Sequence, residues 1–547
     1  MTSIKKFIAS KKFIYILCFI ALNFIDVIRD VQFVALQVQN RFYYLDNFFP
    51  GYKTGDIWMI IANCTGILMM IIIFSAYDLR KFFTISNAVW TAVCVALMCV
   101  IPFVRTGEYG TILIQEELAV FNLWWIGILV KRYVCEAVKE KTVKIKFSVV
   151  NVLWIAMTIL MVTSVARAKI WPLWYFFMFG LFYITEYKKE DISALFDAMM
   201  DGSIMAFLIM QIATFFLRPY DDLRYQGIHF NWNLSALYYL IIFTMCLCKF
   251  HVLEMHRGKR KFKIYYLCIA GVALSLEFMT GCRTAWIVTA LLVFCYGIFI
   301  VRKFWNITWK QIIARFVLLM MSMAITFVPV FMMARWFPTV FPVRVWYSGE
   351  LDNAITAEDG SIVTGDYTEL NEFLGNTFSR IFGVKIATDE EISDVKSEAT
   401  EVEVQPPVRI ESPKITEAKI PSWIKDPAMQ QRFRVYSAYF YDMTWIGNGP
   451  DAELARGAYH SHNVWLQMGY FYGIPSGILL IVLMFALIVR NFRKMKKFGN
   501  NPYVIVSIIF TGLYFVFGMT EVVWNTGQLI LFLIFFVQYG QGDEAAG

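Results

Sequence analysis

Long runs of apolar residues, separated by short polar segments, dominate the chain. Residues 57–77 read "IWMIIANCTGILMMIIIFSAY", and residues 316–333 read "FVLLMMSMAITFVPVFMM". An α-helix of roughly 20 apolar residues crosses the hydrocarbon core of a bilayer. Runs close to this length predict about fourteen membrane spans, at 13–34, 57–77, 86–104, 111–130, 147–166, 171–187, 195–217, 233–249, 264–281, 284–302, 316–333, 463–489, 502–519 and 526–540.

The composition agrees with this pattern. Hydrophobic residues make up 58% of the 547 residues and aromatic residues 17%, which is more apolar surface than a soluble core buries. We therefore predict an all-α polytopic membrane protein with about 12–14 transmembrane helices.

Basic residues are concentrated in alternate loops, which predicts the orientation of the chain. If both termini are cytoplasmic, every basic cluster faces the cytoplasm, as the positive-inside rule requires. These clusters are Lys5, Lys6, Lys11 and Lys12, followed by 131–146, 256–263, 302–310 and 490–497. The net charge of +8 then belongs to loops beside lipid headgroups and does not indicate nucleic-acid binding.

Three parts follow from this topology. Residues 1–333 form the N-terminal transmembrane helices, and residues 462–547 form the C-terminal ones. Between them, residues 334–461 form one large extracytoplasmic loop. Its segment 350–420 is acidic and is predicted to be partly disordered, whereas 428–461 is rich in aromatic residues, arginine and glycine and is predicted to fold.

Two of the five histidines, His460 and His462, directly precede the apolar run that begins at 463. The dipole at a helix N-terminus favours the neutral form of a histidine there, and a neutral histidine can accept a proton. A role in capping the helix is the alternative. No neighbouring ligands complete a metal site at this histidine pair. Asp26 and Asp30 share a helix face with Arg29 beside them, which favours structural ion pairing over metal binding. We expect no catalytic metal.

Arginines occur singly at the predicted outer membrane edges. A guanidinium group binds phosphate oxygens in a bidentate manner, so arginines gathered on one face fit a lipid diphosphate. Snorkelling to headgroups is the alternative for any single one of them. The candidates are Arg218, Arg224, Arg283, Arg432 and Arg434. Acidic residues within or near spans, namely Glu116, Glu117 and Glu277, are expected to pair with arginines across the bundle.

Four segments, in order, resemble the O-antigen ligase and O-antigen polymerase superfamily. They are "RYQGIHFNWNLSA" (224–236), "TGCRTAW" (280–286), "RFRVYSAYFYDMTWIGNGP" (432–450) and "HNVWLQMGYFYG" (462–473). The resemblance covers residues from about 218 to 540. In this chain Cys282 stands where the family pattern has serine, and Tyr436 stands where it has tryptophan.

The resemblance implies a membrane glycosyltransferase of GT-C-like architecture in the bacterial plasma membrane. It would transfer a glycan from a polyprenyl-diphosphate carrier to a glycan, lipid or wall-polymer acceptor on the extracytoplasmic face, by inversion and without a cofactor. His462 would be the general base, while Arg283 and Arg432 would stabilise the leaving diphosphate. The expected substrate-binding residues are Arg224, Arg434, Arg218, Asn463, Tyr436 and His460. The turn "GNGP" (447–450) would let the backbone approach the sugar.

A flippase for lipid-linked oligosaccharides is the competing interpretation. Transporters of that kind are commonly built from internal repeats, whereas here the large loop occurs once and the arginines and histidines lie on one side. The sequence therefore favours an enzyme. It does not separate a polymerase from a ligase, since the two differ only in the acceptor.

Overall fold

The structure is a computed structural model of the full chain, and it describes part of that chain in detail. The described residues are 10–37, 54–104, 111–136, 148–164, 189–215, 220–221, 224–225, 227–229, 232–298, 308–340, 370–382, 420–422, 424, 427–448, 461–498 and 502–521. The predicted spans at 171–187 and 526–540 lie outside these residues, as does most of the acidic segment of the large loop.

The described residues form fifteen α-helices and one two-stranded hairpin. The helices before the hairpin are α1 (Lys11–Gln37), α2 (Thr54–Tyr77), α3 (Ile85–Val104), α4 (Thr111–Val130), α5 (Val149–Thr163) and α6 (Lys189–Phe215). The hairpin pairs β1 (Tyr220–Asp221) with β2 (Arg224–Tyr225) in antiparallel register. The helices after it are α7 (Trp232–Met255), α8 (Arg260–Met279), α9 (Arg283–Cys295), α10 (Trp309–Val340), α11 (Leu370–Phe382), α12 (Pro427–Tyr441), α13 (Val464–Tyr472), α14 (Ile474–Phe498) and α15 (Pro502–Gly518).

Five helices of the described part are long and apolar enough to cross a membrane. They lie within α6, α7, α8, α10 and α14, and five shorter apolar helices accompany them. This confirms the prediction of a mainly α-helical protein with membrane-spanning helices. The total of 12–14 spans stays a prediction.

Helix α7 is the centre of the bundle. Its side chains are buried on every face, from Ser235 to Val252, as expected of a helix that is apolar all round. Helix α8 packs against α7 on one side and against α10 on the other. At the second contact Ser275 Oγ lies 3.0 Å from Thr326 Oγ1, and Ser322 Oγ donates to the carbonyl of Leu267. Small hydroxyl residues of this kind let two membrane helices approach closely and hydrogen-bond.

An ion network joins α1, α6 and α7 inside the bundle. Lys249 Nζ lies 3.0 Å from a carboxylate oxygen of both Asp197 and Asp201. Lys12 lies 3.3 Å from the same two carboxylates, and Tyr266 of α8 donates to Asp201. Two positive and two negative charges thus neutralise one another where each would otherwise be costly to bury.

The prediction of one continuous span over 463–489 is wrong. The chain forms two helices, α13 and α14, separated at Gly473. In a continuous helix Gly469 and Gly477 would be about 12 Å apart along the axis, yet a Cβ built on Gly477 lies 3.1 Å from Gly469 Cα. Helix α14 therefore folds back against α13, and this contact requires two residues that lack side chains.

The break at Gly473 follows from its backbone. Its φ of 95° is a conformation that residues with a Cβ rarely adopt. The loop after α12 crosses this turn: Ile474 N donates to the carbonyl of Thr444, and Asn448 N donates to that of Tyr470. Gly447, also with positive φ, packs against the carbonyl of Phe471. Of the two glycines in the turn expected to approach a sugar, Gly447 thus lies against the backbone of the helical hairpin, and Gly449 lies outside the described residues.

Candidate active site

The buried carboxylate of Glu521, just beyond α15, joins three other segments. Its Oε1 accepts hydrogen bonds from Arg432 Nη2 of α12 and from Asn233 Nδ2 of α7, both at 3.0 Å. Its Oε2 lies 3.3 Å from His462 Nδ1. Only 7% of the Glu521 side chain is exposed, against 33% for His462. The carboxylate is therefore a buried group shared by three side chains, and the imidazole is more exposed than the carboxylate.

The backbone of His462 is held in an uncommon conformation. Its φ is 51°, in the left-handed region that costs free energy for a residue with a Cβ. On one side, the Tyr436 hydroxyl lies 3.0 Å from the His462 carbonyl oxygen and 3.2 Å from that of Met519. On the other side, Asn463 caps the N-terminus of α13, and its Oδ1 accepts from the amides of Trp465 and Leu466.

Asn463 and Tyr436, expected to bind substrate, both hold the histidine in place. The Asn463 side chain caps α13 through its oxygen and donates through Nδ2 to the Met519 carbonyl, so each end of its amide has a structural partner. Burial raises the pKa of Tyr436 to about 12, which keeps its hydroxyl protonated and able to donate to a carbonyl. These contacts tie both residues to the backbone around His462 and Met519, and their expected binding of substrate stays a prediction.

Helix α12 separates the two arginines that the sequence grouped together. Arg432 and Tyr436 are four residues apart and share the helix face that meets Glu521 and His462. Arg434 is two residues from Arg432 and so lies about 200° around the helix. Its Nε is buried, and no hydrogen-bond partner for that atom lies among the described residues. Arg434 belongs to a different face from the Arg432 ion pair.

Arg224 is the first residue of β2, and its side chain reaches the turn between α8 and α9. Its Nε donates to the carbonyl of Thr280 at 2.8 Å, and its guanidinium carbon lies 4.2 Å above the ring of Trp232. Trp232 adjoins Asn233, which binds Glu521. The hairpin itself is anchored by Tyr225, whose hydroxyl accepts from Gln211 Nε2 in the core. Arg224 contacts Trp232 and Glu521 contacts the next residue, Asn233, so both side chains are held at the start of α7.

The turn from α8 to α9 contains Cys282 and Arg283. Cys282 is buried and precedes the first residue of α9. Burial raises the pKa of its thiol to about 11, so it is protonated at neutral pH and is not a thiolate nucleophile. Arg283 begins α9, and its side chain is exposed. Arg218 and His460 lie outside the described residues.

Glu521 is not among the site residues predicted from the sequence. A signal was present, since Glu521 is the only charged residue between Lys497 and Asp543. An isolated acid inside an apolar stretch is a candidate functional residue by default. Its partners, however, come from three distant segments of the chain, and only the fold brings them together.

Among the described residues, Glu277 pairs with no arginine, contrary to expectation. Its Oε1 accepts a hydrogen bond from Thr289 of α9 at 2.7 Å. Its Oε2 is buried without a hydrogen-bond partner among the described residues. Side chains of Glu116, Asp26 and Asp30 lie outside the described part of the structure, so their expected pairings stay predictions.

The described residues contain no group of three or more histidine, cysteine or acidic side chains arranged to hold a metal ion. Comparison with known proteins found no matching family model, no matching curated protein and no matching solved structure.

Proposed function

We propose that the protein is a membrane glycosyltransferase that moves an oligosaccharide or polysaccharide from a polyprenyl-diphosphate carrier to an acceptor hydroxyl on the extracytoplasmic face. One observation carries the proposal: residues of the four sequence segments that resemble the O-antigen ligase and polymerase superfamily meet at one place. Arg224 contacts the turn before Arg283, and Arg432 and His462 share Glu521. These segments span more than two hundred residues of sequence.

The chemistry suits direct displacement at the anomeric carbon. The acceptor oxygen forms the new glycosidic bond as the bond to the diphosphate oxygen breaks, which inverts the configuration. In the tautomer where His462 Nδ1–H donates to Glu521, Nε2 has the lone pair that takes the acceptor proton. A carboxylate that accepts a hydrogen bond from one imidazole nitrogen orients the ring so that the other nitrogen acts as the general base.

The arginines would stabilise the departing diphosphate. Arg224 is fixed by its bond to Thr280 and by Trp232, so its position requires no rearrangement when negative charge develops. Arg432 is already paired with Glu521. In this proposal Arg432 balances the carboxylate that orients His462, and the exposed Arg283, which follows the turn that Arg224 contacts, approaches the diphosphate.

The test uses purified protein in lipid nanodiscs with a polyprenyl-diphosphate-linked repeat unit as donor. Free polyprenyl diphosphate and a longer glycan are the expected products, and mass spectrometry detects both. A polymerase yields a ladder of products on lipid-linked acceptors, whereas a ligase yields one addition to a different acceptor. Donor that crosses the bilayer of a proteoliposome chemically unchanged, with no transfer, would instead identify a flippase.

A further inference from the structure

A large apolar cavity lies between α7, α8, α9 and α10. Its volume is about 740 Å³, which is within the range of sites for small molecules. Helix α9 packs against α7 and α15, while α10 packs against α8, and the cavity fills the space where α9 and α10 diverge. The lining is almost wholly apolar.

The cavity is open sideways, where the surrounding membrane would be. Three of its lining residues, Phe294, Ile313 and Phe316, are 60%, 59% and 50% exposed. Large apolar side chains at this exposure on membrane helices face lipid. A hydrophobic chain can therefore enter the cavity from the bilayer without crossing water.

Two buried polar atoms mark one end of the cavity. Glu277 is 2% exposed, and its Oε2 has no hydrogen-bond partner among the described residues. Trp286 Nε1 is also buried without a hydrogen-bond partner among the described residues. Both residues line the cavity. A buried polar atom without a partner is costly. A buried carboxyl group without a counter-ion is less costly in its neutral form. It then donates through Oε2 as Trp286 donates through Nε1, and the oxygens of a phosphate group accept from both.

The same end of the cavity adjoins the candidate active site. Glu277 is one helical turn before Thr280, whose carbonyl holds Arg224, and Trp286 is one turn after Arg283 on α9. Above it, Phe278 of the cavity wall contacts Phe373 of α11, with ring centroids 5.8 Å apart. Helix α11, from the large loop, thus covers the outer end and leaves the lateral opening.

We infer that this cavity binds the polyprenyl chain of the lipid donor, with its polar end at Glu277 and Trp286 and its diphosphate toward Arg224. The inference rests on the proposed function for the identity of the lipid. Beyond that function, it specifies where the polyprenyl chain lies and that the donor enters laterally, between α9 and α10.

Filling the cavity tests this assignment. Val293→Trp places a large ring in the lining, since Val293 lines the cavity and is only partly exposed. Ile287→Trp is the matched control, because Ile287 lies on the same helix with 67% exposure and does not line the cavity. Gly297→Leu is a second filling variant, since a Cβ there meets only Ile312 Cγ2 at 3.5 Å. The probes are a long-chain polyprenyl monophosphate and inorganic diphosphate, with binding measured on nanodisc-embedded protein.

Both filling variants should bind the polyprenyl monophosphate at least about tenfold more weakly, since excluding even two methylene groups from an apolar site has that effect. Inorganic diphosphate binding should stay unchanged, and Ile287→Trp should match the wild type with both probes. Wild-type polyprenyl binding by either correctly folded filling variant would overturn the inference. So would a diacyl phosphatidic acid that binds equally well and is lost equally in the variants, because the cavity would then hold membrane lipid in general. Absence of glycan transfer by the wild-type protein, with these binding differences intact, would refute the proposed function alone.

Discussion

His462 Nδ1 lies 3.3 Å from Glu521 Oε2, although 59 residues separate them in the sequence. The carboxylate is buried and is shared with Arg432 and Asn233, so its position is fixed from several sides. The imidazole is more exposed than the carboxylate. The contact with this fixed carboxylate therefore sets the orientation of the His462 ring.

Glu521→Gln should reduce the transfer rate. The amide keeps the shape of the side chain but removes the negative charge that stabilises the imidazolium formed as His462 takes the acceptor proton. The measurement is the transfer rate at saturating donor, with donor binding determined separately. A loss that appears wholly in donor binding, with an unchanged rate at saturation, would mean that Glu521 is only structural.

His462→Ala should lower the transfer rate by about 10²–10⁴-fold, the usual effect of losing a general base. Binding of the lipid diphosphate, which depends on the arginines, should change little. His460→Ala is the matched control and should cost much less, because the resemblance aligns with the second histidine. Turnover of the His462→Ala protein within a few-fold of the wild type would exclude the mechanism.

Chelation should leave transfer intact. The experiment adds EDTA to the purified protein, then restores Mg²⁺ or Mn²⁺ as the control. If activity is lost and returns with the metal, a metal mechanism replaces the one proposed here, and Asp26→Asn and Asp30→Asn become the variants to measure.

Gly473→Ala should destabilise the protein by more than about 1 kcal/mol, because alanine disfavours the positive φ at this position. Its Cβ would also collide with the Trp445 carbonyl. Gly512→Ala in α15 is the control: a Cβ there meets nothing within 4 Å, so it should be neutral or stabilising by up to about 1 kcal/mol. Thermal unfolding in detergent compares the two, and equal midpoints would contradict the hairpin geometry.

Lys249→Met should destabilise the bundle by about 3 kcal/mol, since among the described residues it leaves Lys12 as the one positive charge beside the carboxylates of Asp197 and Asp201. Lys263→Met removes a more exposed pair with Glu254, and such pairs contribute at most about 1 kcal/mol. The order of the two unfolding midpoints is the test. A Lys249→Met protein as stable as Lys263→Met would show that the network does not hold α1, α6 and α7 together.

The class of the protein and the ranges of many helices follow from the amino-acid sequence. Apolar runs of membrane length have few alternatives to a helix, because backbone groups in lipid must bond within their own segment. The ranges predicted for α1, α2, α3, α4, α5 and α15 therefore agree with the structure to within three residues. The predicted helix beginning after His462 also exists, and Asn463 caps it.

The contacts that these residues make depend on how the helices pack in three dimensions. Hydrophobic periodicity does not reveal a chain reversal, so the fold at Gly473 inside an apolar run was missed. Arg432 and Arg434 are close in sequence yet lie on different faces of α12, whereas Glu521 and His462 are distant in sequence and lie together. Helical geometry and packing set those relationships, because a contact between segments depends on the direction of each helix and not on the spacing of residues along the chain.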